Sequence, residues 1–352
     1  MKAEPFHING VRIEPGQRLG IDLPVARLYT HTSLAMPLQV VHGKLQGPCL
    51  FVSAAIHGDE LNGVEVIRRL LRYTSLKRLR GTLIAIPIVN VHGFLDRSRY
   101  LPDRRDLNRS FPGSEKGSLA ARIAKLFMTE VVARCGYGID LHTGAVHREN
   151  MPQIRANLDD PETDRLARAF GVPVLINSTL RDGSLRMAAS EQGVTTLLYE
   201  AGEALRFDEV SIRAGLKGVL NVMRELGMLP ARKRKTTSLR PPVVARSSSW
   251  VRAPESGILR TLIPLGSLVE KDTLLAVIAD PFGEGEKEVR AQHKGIVIGR
   301  TQLPLVHQGE AVYHLAQFTH TERAARSVEE FHEVTDPELT TAYDDELEPP
   351  IQ

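Results

Sequence analysis

The chain has 352 residues, 25% of them charged and 42% hydrophobic, and its 45 Lys+Arg against 42 Asp+Glu leave a net charge of +3. That balance is ordinary for a globular protein and excludes the basic footprint of a nucleic-acid binder or a polyanion partner. No apolar run reaches the roughly 18 residues of a membrane span, and "MKAEPFHINGVRIEPG" at the N-terminus has no apolar signal core. The expectation is a cytoplasmic protein of two domains with neither nucleic acid nor membrane as partner. Cys49 and Cys135 lie in apolar surroundings and read as free thiols of a reducing compartment.

Residues 1–47 hold short alternating segments such as "ARLYTH" and "LQVVHG", broken by Pro and Gly, and read as antiparallel strands leading into the first domain. Then come continuous apolar runs, "CLFVSAAI" (49–56), "TLIAIPIV" (82–89), "YGIDL" (137–141), "PVLIN" (173–177) and "TTLLY" (195–199), the mark of strands covered on both faces. Between them, "NGVEVIRRLLRY" sets Val64, Ile67 and Leu71 on one side of a helix, and "LAARIAKLFMTEVVARC" does so with Leu119, Ile123, Leu126 and Phe127. "SIRAGLKGVLNVMRELG" closes the series, with Gly227 as a helix stop and Pro230 beyond it. Apolar strands alternating with amphipathic helices predict an α/β fold with a mostly parallel sheet over residues 1–230. Residues 231–249, basic and rich in Ser and Pro, read as a linker, and "RKRK" within it as solvated charge. Residues 250–320 show only short strands spaced by Gly and Pro, a small all-β domain. Residues 321–352 begin with a helical pattern and end as an acidic tail.

Chemistry is sought where strands of an open parallel sheet end, because loops converge and helix N-termini point inward there. The 49–56 run enters His57-Gly58-Asp59-Glu60, the 137–141 run enters His142-Thr143-Gly144, and the 195–199 run enters Glu200-Ala201-Gly202. Spacing alone gives His57-x-x-Glu60 little weight, since chance supplies about one or two such pairs in a chain like this and His307–Glu310 is another. Position separates them. Two histidines and a carboxylate from neighbouring strand ends suit Zn²⁺ and leave a fourth position for water, with a second carboxylate as general base. The His307 pair lies in the all-β domain without such neighbours. Asp59 is assigned to the turn, while Asp140, two residues before His142, reads either as orienting the imidazole or as satisfying loop amides. The segment 90–113 adds Arg97, Arg99, Arg104, Arg105 and Arg109, forks that match a carboxylate unless they pair with Asp96, Asp103 and Asp106.

Taken in order, "HGDE", "RY…DLNRSFPG", "DLHTG" and "YEAG" resemble the succinylglutamate desuccinylase/aspartoacylase family, relatives of the zinc carboxypeptidases, over roughly residues 45–230. The resemblance implies one Zn²⁺ per chain held by His57, Glu60 and His142. It further implies that Asn108 and Arg109 hold the substrate carboxylate, that Arg99 polarises the scissile carbonyl and that Glu200 activates water. The stretch from Arg99 to Asp106 is longer than in the animal aspartoacylases. "APESGILRTLIPLGSLVEKDTLLAVIADPFGE" looks like the barrel-sandwich of biotinyl and lipoyl domains; Lys294 lacks the flanking methionines of a biotinylated lysine, which points to a structural or gating use. The implied activity is hydrolysis of the amide of a small N-acyl amino acid. Its rivals are a carboxypeptidase acting on peptides and a non-catalytic protein that holds zinc or a ligand. Whether Arg148, Arg155, Arg181 or Arg186 meets the substrate, and whether the chain self-associates, is left open by the sequence.

Overall fold

The apolar runs become strands because each is shielded on both sides. In the computed structural model, residues 1–231, 241–245, 247–283 and 285–335 are described. The first ten strands are β1 (Phe6–Ile8), β2 (Val11–Ile13), β3 (Arg18–Arg27), β4 (Ser33–His42), β5 (Leu45–Ala54), β6 (Arg80–Ile86), β7 (Tyr137–His142), β8 (Arg148–Ala156), β9 (Val174–Asn177) and β10 (Thr195–Gly202). The helices among them are α1 (Asn62–Arg72), α2 (Val91–Asp96), α3 (Leu119–Glu130), α4 (Pro161–Phe170), α5 (Leu185–Glu191) and α6 (Glu209–Glu225). Strands β6, β5, β7 and β10 lie side by side in parallel, β4 and β8 flank them antiparallel, and β3 pairs antiparallel with β4 at the edge, so the sheet is mixed.

Side chains alternate along β5 into two separate cores. Leu50, Val52 and Ala54 meet α1, α4 and α6 on one face, whereas Phe51 meets α3 and α5 on the other. The buried stripe of α1 centres on Val66, Ile67 and Leu70, with the anticipated Val64 and Leu71 at its margins and only Ile67 at its centre. Ile123 and Phe127 of α3 are buried as expected, with Leu119 and Leu126 partly so. Gly227 ends α6 with a φ of +70°.

Strand β8 was not foreseen from its sequence. "RENMPQIRA" has a proline and five polar or charged residues, no apolar alternation, yet it is hydrogen-bonded to β10, β9 and the C-terminal region. Arg148, Asn150 and Arg155 line a cavity and Glu149 meets Arg300 at the seam between the two regions, so these surroundings rather than the pleat set the pattern.

The C-terminal strands are β11 (Val243–Ala245), β12 (Ser247–Arg252), β13 (Gly257–Thr261), β14 (Leu268–Val269), β15 (Leu274–Ala279), β16 (Lys287–Arg290), β17 (Gly295–Thr301), β18 (Leu305–Val306) and β19 (Ala311–Gln317). β12 to β19 form an antiparallel β region whose β17 pairs with β8, so the main sheet runs on into it. Two segments of the stretch read as linker are ordered: the apolar Val243–Ala245 pairs in parallel with β9, and Ser247 opens β12. "RKRK" lies outside the described residues, as does the acidic end from 336 onward. The helical pattern after 320 forms α7 (Thr321–Thr335), which buries Ala324, Val328 and Phe331. Lys294 is half-buried and ion-paired with Glu270 and Glu322 at 2.7 Å each. Cys49 and Cys135 are free thiols with sulfurs 3.3 Å apart. No described helix is long and apolar enough to cross a membrane.

Phe51 is fully buried edge-to-face against Phe127, ring centroids 5.8 Å apart. Phe51→Ala should lower stability by about 3–5 kcal/mol, measured as a lower denaturant midpoint.

Candidate functional site

The chain passes from β5 through α1 to β6 on one side, then crosses back over β5 to place β7 on the other. The carboxyl ends of β5 and β7 therefore flank a topological switch point, the crevice where an open α/β sheet can take a ligand. Parallel register aligns Ala54 with Leu141 and His142 with Glu200, so three strand ends finish level. Local chemistry then fixes the loops. At Gly58 an added Cβ would sit 2.0 Å from the carbonyl carbon of Gly93, so only glycine lets α2 approach the turn. Asn62, at the start of α1, donates to Ala201 O at 3.2 Å and accepts from Asp208 N at 3.0 Å. That clamp ties the His57–Glu60 turn to the end of β10.

His57, Glu60 and His142 come together with all three side chains buried. Glu60 Oε1 lies 2.7 Å from His57 Nδ1, and Oε2 lies 2.8 Å from His142 Nδ1. The outer nitrogens face carboxylates too: His57 Nε2 is 3.1 Å from Asp106 Oδ1, and His142 Nε2 is 2.7 Å from Asp140 Oδ2. Asp140 is steadied by a hydrogen bond from Ser53 Oγ at 2.8 Å. Each ring thus has an acceptor at both nitrogens. Either both imidazoles are doubly protonated, or a cation sits among the two Nδ1 atoms and the Glu60 carboxylate. The three donor atoms lie within 4.8 Å of one another, and the outer carboxylates would fix each ring with its Nδ1 lone pair inward. The residues fit a metal ion.

Burial opposes charge on His57, but Glu60 and Asp106 outweigh it and its pKa is raised. Burial likewise opposes charge on His142, and Asp140 and Glu60 raise it well above the usual histidine range. Burial would raise Glu60, yet His57 and His142 hold it well below the usual carboxylate range. Asp106 is also held low despite burial, by His57, Arg99 and Arg109.

Arg99 donates to Glu60 Oε1 at 3.3 Å and to Asp106 Oδ2 at 3.1 Å. Asn108 Oδ1 accepts from Leu185 N at 2.9 Å, which pins the start of α5, while Arg109 donates to Asn108 O. These residues and Glu200 line a cavity of about 570 Å³ that reaches the three-residue cluster. Of the five arginines in 90–113, Arg99 and Arg109 reach it; Arg105 pairs with Asp103 at 3.8 Å on the surface. Arg148, Arg155, Arg181 and Arg186 all line the same cavity. His307 and Glu310 instead close an exposed turn, the Glu310 carboxylate accepting from His307 N at 3.0 Å. Asp59 stays out of the cluster and uses its carbonyl to accept from Leu205 N.

A family model described as the succinylglutamate desuccinylase/aspartoacylase catalytic domain matches residues 46–226. The chain belongs to this family. A curated relative, the N-alpha-acetyl-L-2,4-diaminobutyric acid deacetylase of Halomonas elongata, is 26% identical over 298 residues, 81% of this chain and 86% of the relative. The product-bound structure of the ectoine utilization protein EutE (DoeB) from Ruegeria pomeroyi is also 26% identical. It superposes with a TM-score of 0.76 over 85% of this chain and 94% of its own. A succinylglutamate desuccinylase/aspartoacylase structure from Rhodobacter sphaeroides, at 22% identity, shares the fold with a TM-score of 0.76 over 86% and 96%. Both antiparallel C-terminal region and mixed α/β sheet belong to that shared architecture.

Two residues at the site of this family member escape a reading of its sequence. Asp106, which joins His57 to Arg99, looked like one of three surface carboxylates; its place two residues before Asn108 in the "DLNR" turn was the available signal. Trp250 comes from β12 and walls the cavity, stacked on His314 at 4.3 Å with the Arg148 guanidinium 5.1 Å from its ring centre. Nothing local to Trp250 announces that role, which depends on how β12 is carried to the cavity. For the cluster, His142→Ala should abolish stoichiometric binding of a divalent metal. Asp140→Ala and Asp106→Ala should each weaken it about 10–100-fold, as read by competition with a metal chelator.

Proposed function

We propose that this chain is a zinc-dependent hydrolase of a linear amide, acting on a small N-acyl amino acid. The observation that carries the reading is the level alignment of His142 and Glu200 on adjacent strands, beside the buried His57–Glu60–His142 cluster and inside one arginine-lined cavity. Zn²⁺, favoured by a three-ligand nitrogen-rich set with a position left open, would supply Lewis acidity that makes water reactive near neutral pH and polarises a carbonyl.

The protein's own groups would do the rest. Glu200 takes the proton from the attacking water and returns it to the leaving amine, a role suited to a carboxylate at a strand end facing the cavity. Arg99, already directed at the cluster by Glu60 and Asp106, donates to the oxyanion as charge develops there. Arg109 offers a planar fork to the substrate carboxylate, and Asn108, with its Oδ1 engaged by Leu185 N, offers its Nδ2. Holding that carboxylate sets the scissile bond against the cluster, a positioning effect worth several kcal/mol. The wall that Trp250 adds favours a small substrate over a peptide. The relatives support the class of chemistry, one being a deacetylase of an acetylated diamino acid.

Hydrolysis measured across N-acetyl, N-succinyl and N-formyl amino acids, with a peptide panel alongside, tests the assignment. Turnover of peptides only would replace it with the carboxypeptidase reading. Glu200→Gln should retain one metal per chain and lose about 10²–10⁴-fold in kcat. A Glu200→Gln variant as active as the parent removes Glu200 from the mechanism.

A further inference from the structure

A second cavity, of about 580 Å³, lies at the opposite end of the sheet from the metal cluster. Its walls are the turn into β3, the β4–β5 turn, the end of α1 and the turn Thr74–Arg78 that follows. Strand β5 starts beside it at Leu45 and ends at Ala54, three residues before His57. The length of that strand, roughly 30 Å, separates the two cavities.

The second cavity carries charge of one sign. Arg18, Lys44, Arg72 and Lys77 line it, and no Asp or Glu among the described residues does. Arg18 is held by neutral groups, its Nε donating to Gln39 Oε1 at 2.7 Å and its Nη1 to Leu71 O at 2.6 Å. Burial lowers its pKa, with no carboxylate to raise it again. Among the described residues, Lys44, Arg72 and Lys77 have neither an ion pair nor a side-chain hydrogen bond. Helix α1 supplies its own comparison: Arg68 and Arg69 both pair with Glu65, and Arg69 also with Glu209. Arg72, at the cavity, has no such partner.

The floor is apolar and fixed. Val41, Tyr73 and Leu76 are buried there, with Leu71 beside them, and the Tyr73 hydroxyl accepts from Arg224 at 2.9 Å. The Lys44 stem lies against Gly16, where an added Cβ would sit 3.0 Å from Lys44 Cγ and Cε. Gly16 also has a φ of +89°, so glycine both makes the turn and seats the lysine at the cavity wall. The carbonyl end of α1 would repel an anion. Here Arg18 occupies Leu71 O and Tyr73 N occupies Leu70 O, which removes most of that repulsion.

We propose that this cavity is a second ligand site, for a phosphorylated small molecule with an aromatic body, the class of a nucleoside diphosphate. Like charges gathered round one hollow repel each other, and a phosphate ester relieves that. Lys44 and Lys77 meet phosphate oxygens as point charges, and Arg72 adds a planar fork. The apolar floor takes the base. The site is separate from the metal cavity, and the proposal does not depend on the amide-hydrolase reading.

Titration calorimetry of the full chain with ADP, GDP and UDP, and with pyrophosphate and adenosine alongside, tests the site. At least one nucleotide should bind with one molecule per chain, about 10-fold or more tighter than pyrophosphate, which lacks the base, or adenosine, which lacks the charge. Lys44→Ala/Lys77→Ala should weaken that nucleotide about 100-fold, about 10-fold for each charge-assisted contact. Both lysines are exposed, so the denaturant midpoint of this variant should match the parent. Lys44→Arg/Lys77→Arg should keep most of the affinity. Arg155→Ala/Arg186→Ala, at the metal cavity, should leave it unchanged. The absence of saturable binding by all three nucleotides overturns the proposal. Equal affinity for nucleotide and pyrophosphate reduces the cavity to a patch of charge and overturns it too. Affinity lost in Arg155→Ala/Arg186→Ala but kept in Lys44→Ala/Lys77→Ala puts the ligand at the metal cavity, and again overturns it.

Discussion

The Glu60 carboxylate, out of water between two imidazoles, is the constraint from which the site follows. An ionised carboxylate is costly to bury unless it is paired and hydrogen-bonded. Here it is met by His57, His142, the Thr143 amide and Arg99. Those partners must in turn be held, and Asp106 and Asp140 hold the outer nitrogens of the two rings. Charge alternates outward from Glu60 for three layers. Removing one member would leave a buried charge uncompensated. A divalent cation at its centre would relieve the need for two extra protons rather than disturb an otherwise satisfied core.

The sheet supplies the alignment that such a unit needs. In parallel strands, register decides which residues finish level, and β5, β7 and β10 finish at the same edge. Both faces of these strands are packed against helices, so the ends cannot shift without disturbing two cores at once. The fixed ends then carry short loops, each anchored by a specific contact: the glycine approach at Gly58, the Asn62 clamp, the Asn108 link to α5. Rigid scaffold and polar loop divide the work, with burial setting position and hydrogen bonds setting orientation.

Much of this was legible in the sequence because burial on two faces leaves a plain mark. The runs 49–56, 82–89, 137–141, 173–177 and 195–199 each contain or overlap a strand of the sheet, and His57, Glu60 and His142 do meet. What escaped has a common cause. Strand β8 carries Arg148, Asn150, Gln153 and Arg155, residues chosen by the cavity and the seam rather than by the pleat, so its pattern was masked. Val243–Ala245 is three residues long, too short for periodicity to speak, and its partner β9 lies nearly 70 residues away. Asp106 and Trp250 owe their places to contacts across 49 residues and across the two regions respectively, which no local window contains.

The pairing of β17 with β8 has a consequence for how the chain comes into being. Among the described residues, the edge of β8 at Arg148–Asn150 is matched by Gly299–Thr301. A ribosome releases the first 230 residues well before those partners exist. During that interval the nascent sheet carries an open edge, and the cavity lacks the wall that Trp250 will provide. Open edges invite pairing with other chains. The polar side chains of β8, so unhelpful to a reader of the sequence, are also what discourages a wrong strand from docking there first.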